Sequence, residues 1–198
     1  MTDADAGAGD APASPATPPH RLVAGTVAID DLDAFLATLD EVAAETGAVV
    51  QAFDADLIVS AAHLCEATRL AARAIARDEA VARDPGVEVM LYAAGSRQID
   101  RAFALGVSEG EQRTVVLVAD FGAVPGADRP AADLDAAAAS VEDLLEPATG
   151  ASAEGFDPSC DAERVREFYE VGDREMAATA GGLADIVRER VALLDVEK

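Results

Sequence analysis

The stretch "AAGSRQIDRAFALG" (residues 93 to 106) carries the side chains and spacing that most suggest recognition chemistry. It closes an apolar run on Ala94, Gly95 and Ser96 and then opens a helical segment on Arg97 and Gln98. With Ser96 as the N-cap of a helix that follows a strand, the unpaired N–H groups at Arg97 and Gln98 are placed to hydrogen-bond a phosphate. The guanidinium of Arg97 and the amide of Gln98 add planar and base-edge contacts, the means by which unpaired RNA is commonly read. A plainer alternative stands beside this one: Ser96 only caps, and Ile99, Ala102 and Phe103 are buried as in any amphipathic helix.

Catalytic equipment is scarce elsewhere. His20, near the start, and His63, on a helical segment, are the two histidines, so His-assisted nucleophilic chemistry would rest on a single residue. Cys65 lies two positions from His63, which on a helix turns the two side chains to different faces and argues against a shared metal. Cys65 and Cys160 read as two reduced thiols in a chain without an export signal. The stretch "AGTVAIDD" near residue 25 lacks the Lys and the spacing of a P-loop, and no GxGxxG occurs. Carboxylates are abundant but diffuse. The pattern favours a binding subunit over an enzyme, with no cofactor, metal or small-molecule substrate implied.

The charge is extreme, with a formal net of -23 and a pI near 4.1. Fourteen of the fifteen cations are Arg, and Lys198 is the one Lys. This composition suits a cytoplasm of molar salt, where a Debye length of roughly 3 Å screens surface self-repulsion. Acidity then reports habitat and does not argue against a nucleic-acid partner. Between Leu57 and Arg113, seven Arg meet eight acids, a net of -1, while the remainder carries -22. The middle of the chain has been spared negative charge.

These residues need a scaffold. The first nineteen, "MTDADAGAGDAPASPATPP", are small, acidic and Pro-rich and predict a disordered tail over 1–19 without signal-peptide character. Residues 20–198 predict one α/β domain, with mobile loops at about 121–131 and 147–160. "RLVAGTVAI" (21 to 29) predicts a strand, followed by a helix capped at Asp30 or Asp31 and stopped by Gly47. "AVVQAF" (48 to 53) predicts a second strand and residues 60 to 77 a helix with Arg69, Arg73 and Arg77 on a solvated face paired to Glu66 and Asp78. "RDPG" reads as a turn before a strand "VEVMLYAA" (87 to 94), and a helix over 96 to 105 follows. "RTVVLVAD" (113 to 120) predicts an interior strand. Helices are expected over 132 to 145, 161 to 169, and from about Met176 onward. Alternating helices and strands predict a central mixed β-sheet with helices packed on it. No apolar run reaches the roughly 18 residues of a membrane span, so a soluble cytoplasmic protein is expected.

Three passages, "LIVSAAHLCEATRLAARAI" (57 to 75), "VEVMLYAAGSRQIDRAFALGV" (87 to 107) and "RTVVLVA" (113 to 119), with "IVRERVALLDV" (186 to 196) as a fourth, resemble the small kinase-associated subunit of the KEOPS complex. That family's pattern has an Ala-His-Leu helix, an Ala-Ser-Gly-type loop followed by Gln-Ile, and a C-terminal Arg-Val-Ala-Leu segment; here Gly95 and Ser96 stand exchanged in the loop. The resemblance implies a noncatalytic protein that binds the kinase/ATPase subunit directly and the other KEOPS subunits indirectly. It also implies that tRNA is held by its 3′ CCA end while the complex makes threonylcarbamoyladenosine. On this reading the RNA-binding residues are His63, Gly95, Ser96, Arg97, Gln98 and Arg101. The kinase-binding residues are Leu183, Ile186, Val187, Val191 and Leu194, whose apolar face reads equally as core. A small acidic scaffold that binds proteins without RNA is the alternative, and a nucleotide-dependent enzyme with an anion site at 94 to 98 a further one.

Overall fold

The structure is a computed structural model and describes residues 16–147 and 160–195. Most of the expected tail and nearly all of the expected 147–160 loop lie outside these residues. The last four tail positions are inside and belong to the fold: Pro18 is buried, and the Pro19 carbonyl accepts from the Asp120 N–H at 2.9 Å.

β-branched and apolar residues build the sheet first. β1 (His20–Ile29) pairs along its whole length with β3 (Gly110–Ala119), His20 opposite Ala119. β2 (Val49–Asp54) takes the other side of β3, and β4 (Glu146–Pro147) adds two residues to β1, giving the order β2-β3-β1-β4. Interior placement explains why Val115 to Ala119 form an unbroken apolar run with 0% exposure. At Gly25 a Cβ would meet the Glu146 carbonyl oxygen at 2.6 Å, so glycine is what lets β4 close on β1.

Helices cover both faces. α1 (Leu32–Thr46) begins on Asp31, whose carboxylate accepts from Ala34 N–H at 3.0 Å, and ends on Gly47 at φ 74°. α2 (Ala61–Ala76) begins on Ser60. α3 (Pro85–Ala93), α4 (Ile99–Phe103), α5 (Leu134–Glu142), α6 (Ala162–Phe168), α7 (Asp173–Ala178) and α8 (Leu183–Leu194) complete the described set. α1 and α5 bury Leu39, Val42, Ala137 and Val141 against one sheet face, which supplies Val23, Val27, Ala52, Val116 and Val118. On the other face α2, α3, α6 and α8 enclose Phe53, Val115 and Leu117. Each large side chain so buried stabilises the fold by roughly 1.5–3 kcal/mol. No helix among the described residues is long and apolar enough to cross a membrane.

Two expected elements take a different form. Residues 87 to 94 are helical, because "DPG" is a helix start: Asp84 accepts from the Gly86 and Val87 N–H groups at 2.8 and 3.1 Å, and Pro85 occupies the first turn. The run misleads because α3 is buried on every side, so its sequence shows no polar face to reveal a helical period. Even Glu88, 1% exposed, is satisfied, accepting from the Val81 and Ala82 N–H groups at 3.0 and 2.8 Å. Without that strand the described sheet is antiparallel throughout and not mixed. The single helix expected from Met176 is two, parted at Gly181 and Gly182, where Asp185 caps the Gly182 N–H at 3.0 Å.

Candidate functional site

Because α3 replaces the expected strand, the turn at 94 to 98 joins two helices. α3 ends in a Schellman arrangement: Gly95 N–H reaches the Tyr92 carbonyl at 2.9 Å and Ser96 N–H the Leu91 carbonyl at 3.1 Å. Gly95 sits at φ 58°, and a Cβ there would meet the Arg190 Cβ at 3.3 Å, so the turn is seated directly on α8. Ser96 does not cap α4. Its hydroxyl accepts from Gln98 N–H at 3.2 Å, and Gln98 is the N-cap residue, with no side-chain cap bond of its own. Of the two N–H groups expected to meet a phosphate, that of Gln98 is taken by the Ser96 hydroxyl, and Ser96 is not the helix cap on which that expectation rested; the Gly95 and Ser96 N–H groups close the end of α3. What the turn presents outward is side chains.

Gln98 is exposed and Gly95, Ser96 and Arg97 half-buried. The Arg97 guanidinium donates to the Leu194 carbonyl at 3.0 Å, where the C-terminal end of α8 concentrates negative potential. Arg97 thus faces two ways, tied to α8 by one N–H and partly open to solvent. Arg101 is turned away from the loop: it donates to Glu170 at 2.8 Å and to the Phe168 carbonyl, and lies 5.4 Å over the Phe168 ring. Its geometry anchors α4 to α6.

His63 is 0% exposed, so it offers no surface to RNA. Its Nε2 donates to the Ala93 carbonyl at 2.9 Å, and the Tyr169 hydroxyl donates to the same oxygen at 2.8 Å. A carbonyl only accepts, which places the imidazole proton on Nε2 and leaves Nδ1 buried without a partner among the described residues. Burial pulls the ring's pKa down to about 4, with the Ala93 bond opposing. Desolvation likewise pushes the Tyr169 hydroxyl above its ordinary range. Together these two side chains fasten α2 and α6 to the last turn of α3 and so fix where Gly95 begins. His63 is thus an interior, hydrogen-bonded imidazole and not the surface contact that the resemblance implies.

α8 turns its apolar stripe inward. Ile186, Val187, Val191 and Leu194 are 2%, 0%, 0% and 7% exposed and belong to the core, while Leu183 is half-buried. Between core and partner surface, the folded chain assigns those four to the core. The outward side of α8 instead carries Arg188 and Leu193, the latter 48% exposed. Polar ties close on the far end of the helix: Arg73 pairs with Asp195, Tyr92 donates to Asp195 at 3.4 Å, and Arg190 reaches Glu175 at 3.0 and 2.9 Å. Arg69 grips Glu66 as expected, at 3.0 and 2.7 Å, holding the carboxylate below its usual range. The Arg73 partner, 122 residues away, lay beyond any local pattern.

Two residues gain importance only in the structure. Ile99 and Phe103, which the plainer of the two readings buries beside Ala102, are 45% and 53% exposed, while Ala102 alone turns inward at 0%. The i, i+4 spacing signals one shared face, but nothing in it says which way that face points. Among the described residues no group of three His, Cys, Asp or Glu side chains is arranged to hold a metal ion.

A family model described as kinase binding protein CGI-121 matches residues 34–195, most of the chain, and the chain belongs to that family. No curated protein matches it.

Proposed function

We propose that this member of the CGI-121 kinase-binding family is the noncatalytic KEOPS subunit that binds the kinase/ATPase subunit and recruits tRNA by its 3′ CCA end for threonylcarbamoyladenosine formation. The observation that carries the RNA half is the α3–α4 turn: an exposed Gln98 beside a half-exposed Arg97, in the one long span from which negative charge has been withheld. A few hydrogen bonds and stacking contacts to an unpaired end keep their strength in salt better than a broad basic groove, whose counterion-release term falls steeply. Gly95 and Ser96 shape the turn, His63 holds it from beneath through Ala93, and Arg101 fixes the helix after it. These are positioning roles; the RNA contacts fall to Arg97 and Gln98.

The kinase partner is received on α8 by its outward side, with Leu193 and the half-buried Leu183, while Ile186, Val187, Val191 and Leu194 hold that helix in place from within. Because Arg97 also ties the turn to α8, Gln98→Ala is the cleaner probe of RNA binding. It is expected to weaken binding of a tRNA ending in CCA several-fold with no change in capture of the kinase subunit, measured by filter binding and co-purification. Equal wild-type affinity for the same tRNA trimmed of its last three nucleotides would remove the RNA half of the proposal. The same experiment separates this reading from that of a small acidic scaffold that binds proteins without RNA.

A further inference from the structure

The last turn of α8 breaks a local rule. Asp195, its C-cap residue, sets a carboxylate at the end of the helix where the peptide dipoles already gather negative charge, and it does so at 8% exposure. Both circumstances disfavour an acid, so the side chain must be compensated from elsewhere. α2 and α3 supply the compensation: Arg73 forms an ion pair with one carboxylate oxygen of Asp195, and the Tyr92 hydroxyl donates to the other at 3.4 Å. Burial first and the Asp195 charge next push the Tyr92 hydroxyl above its ordinary range, which keeps it a donor. Asp195 therefore pins the end of α8 to two helices at once. One residue before it, the Leu194 carbonyl is among the last four of the helix, which have no partner within it, and it accepts from the Arg97 guanidinium at 3.0 Å. Gly95 lies against the same helix, where an added Cβ would meet the Arg190 Cβ at 3.3 Å.

We infer that Asp195 is a positioning residue for RNA recognition: through Arg73 and Tyr92 it fixes the carbonyl of Leu194, and that carbonyl fixes where the Arg97 guanidinium stands. This rests on the RNA half of the proposed function and adds to it the device that holds one of its contact residues. An arginine side chain free in water samples many rotamers and must be ordered when a ligand arrives, whereas one already held by a single N–H meets the ligand with its remaining donors in a fixed plane. The holding acceptor is a neutral carbonyl, and that matters. A carboxylate in its place would cancel the positive charge that draws an RNA, but here the Asp195 charge is taken by Arg73 and acts on Arg97 only at one remove.

Asp195→Asn, which keeps the size of the side chain and removes its charge, tests this in the full-length chain by filter binding to a tRNA ending in CCA and to the same tRNA trimmed of its last three nucleotides. The variant is expected to melt cooperatively, since the lost charge opposed its own helix and Arg73, 22% exposed, still reaches water. It is expected to bind the intact tRNA about fivefold more weakly, the order of one lost hydrogen-bonded position, and the trimmed one as the wild type does. In a chain already carrying Arg97→Ala, adding Asp195→Asn is expected to change nothing further, because the residue it positions is gone. A role in stability alone would lower both affinities alike, in either background. Tyr92→Phe, which removes one tie and leaves the charge, is the second measure, with an expected loss of about twofold confined to the intact tRNA. Wild-type affinity in both variants, or equal losses with and without Arg97, would overturn the inference and leave RNA recruitment standing. Loss of the kinase subunit in co-purification with tRNA binding intact would overturn it too, by placing Asp195 in the protein interface. Equal binding of intact and trimmed tRNA by the wild-type chain would remove the RNA half of the proposed function and the inference with it.

Discussion

His63 shows how much a single side chain is asked to do. Its N–H holds one of the orphan carbonyls at the end of α3, yet the ring is wholly desolvated and its second nitrogen has no partner among the described residues. An unfolded histidine takes up a proton below about pH 6.5, whereas the buried ring stays neutral until about pH 4. Between those values the unfolded chain binds more protons than the folded one, so stability is full above pH 6.5 and falls as the pH is lowered through the window. At about 1.4 kcal/mol per pH unit, this group costs the fold about 2 kcal/mol by pH 5 and about 3 kcal/mol by pH 4. Urea unfolding at pH 7 and pH 5 checks it: His63→Gln should lose less stability than the wild type over that interval. An identical loss in both would show that the ring is not the group responsible. Arg97 makes the complementary point, since the contact with Leu194 makes a candidate ligand-binding residue also a structural one.

At the level of elements, α8 decides the most. Its inward stripe reads identically as core or as docking face, and only its place against α2 and α3 separates the two. A carboxylate at Val187 would be buried without a partner, which costs several kcal/mol, whereas one at Leu193 would remain in water. Val187→Asp is therefore expected to abolish folding, seen as loss of a cooperative melt. Leu193→Asp is expected to melt within a few degrees of the wild type and to lose the kinase subunit in co-purification. Full retention of the kinase by a folded Leu193→Asp would move the docking surface away from this side of α8. The α3–α4 turn depends on the same helix, because Gly95 both ends α3 at positive φ and clears the Arg190 side chain.

For the molecule as a whole, electrostatics sets the conditions under which any of this operates. The described ion pairs are mostly part-exposed, worth about 0–1 kcal/mol each and weakened by salt. Against them stands the mutual repulsion of a net -23, which a Debye length shrinking from about 10 Å at 0.1 M to about 3 Å at 1 M largely removes. Repulsion spread over the whole surface outweighs a handful of exposed pairs, so the melting temperature should rise from 0.1 to 1 M KCl. A flat or falling curve would show that the surface charge carries no such penalty.

Asp31, Gly47 and Ser60 mark their helix ends in the sequence by themselves, and the apolar run at 115 to 119 marks the interior strand, because caps and periodicity act over a few neighbouring residues. The family could likewise be read from residues 57 to 119, and the model match over residues 34–195 agrees. What the chain could not state locally was direction: that 87 to 94 is a helix buried all round, that α8 turns its stripe inward, and that Ile99 and Phe103 turn theirs out. Those are settled by which surfaces lie opposite one another once the sheet has closed, through partners such as Asp195 for Arg73 and Tyr169 for Ala93 that stand some 76 to 122 residues apart. A local pattern fixes the existence of an apolar face, but only tertiary packing decides whether protein or solvent meets it.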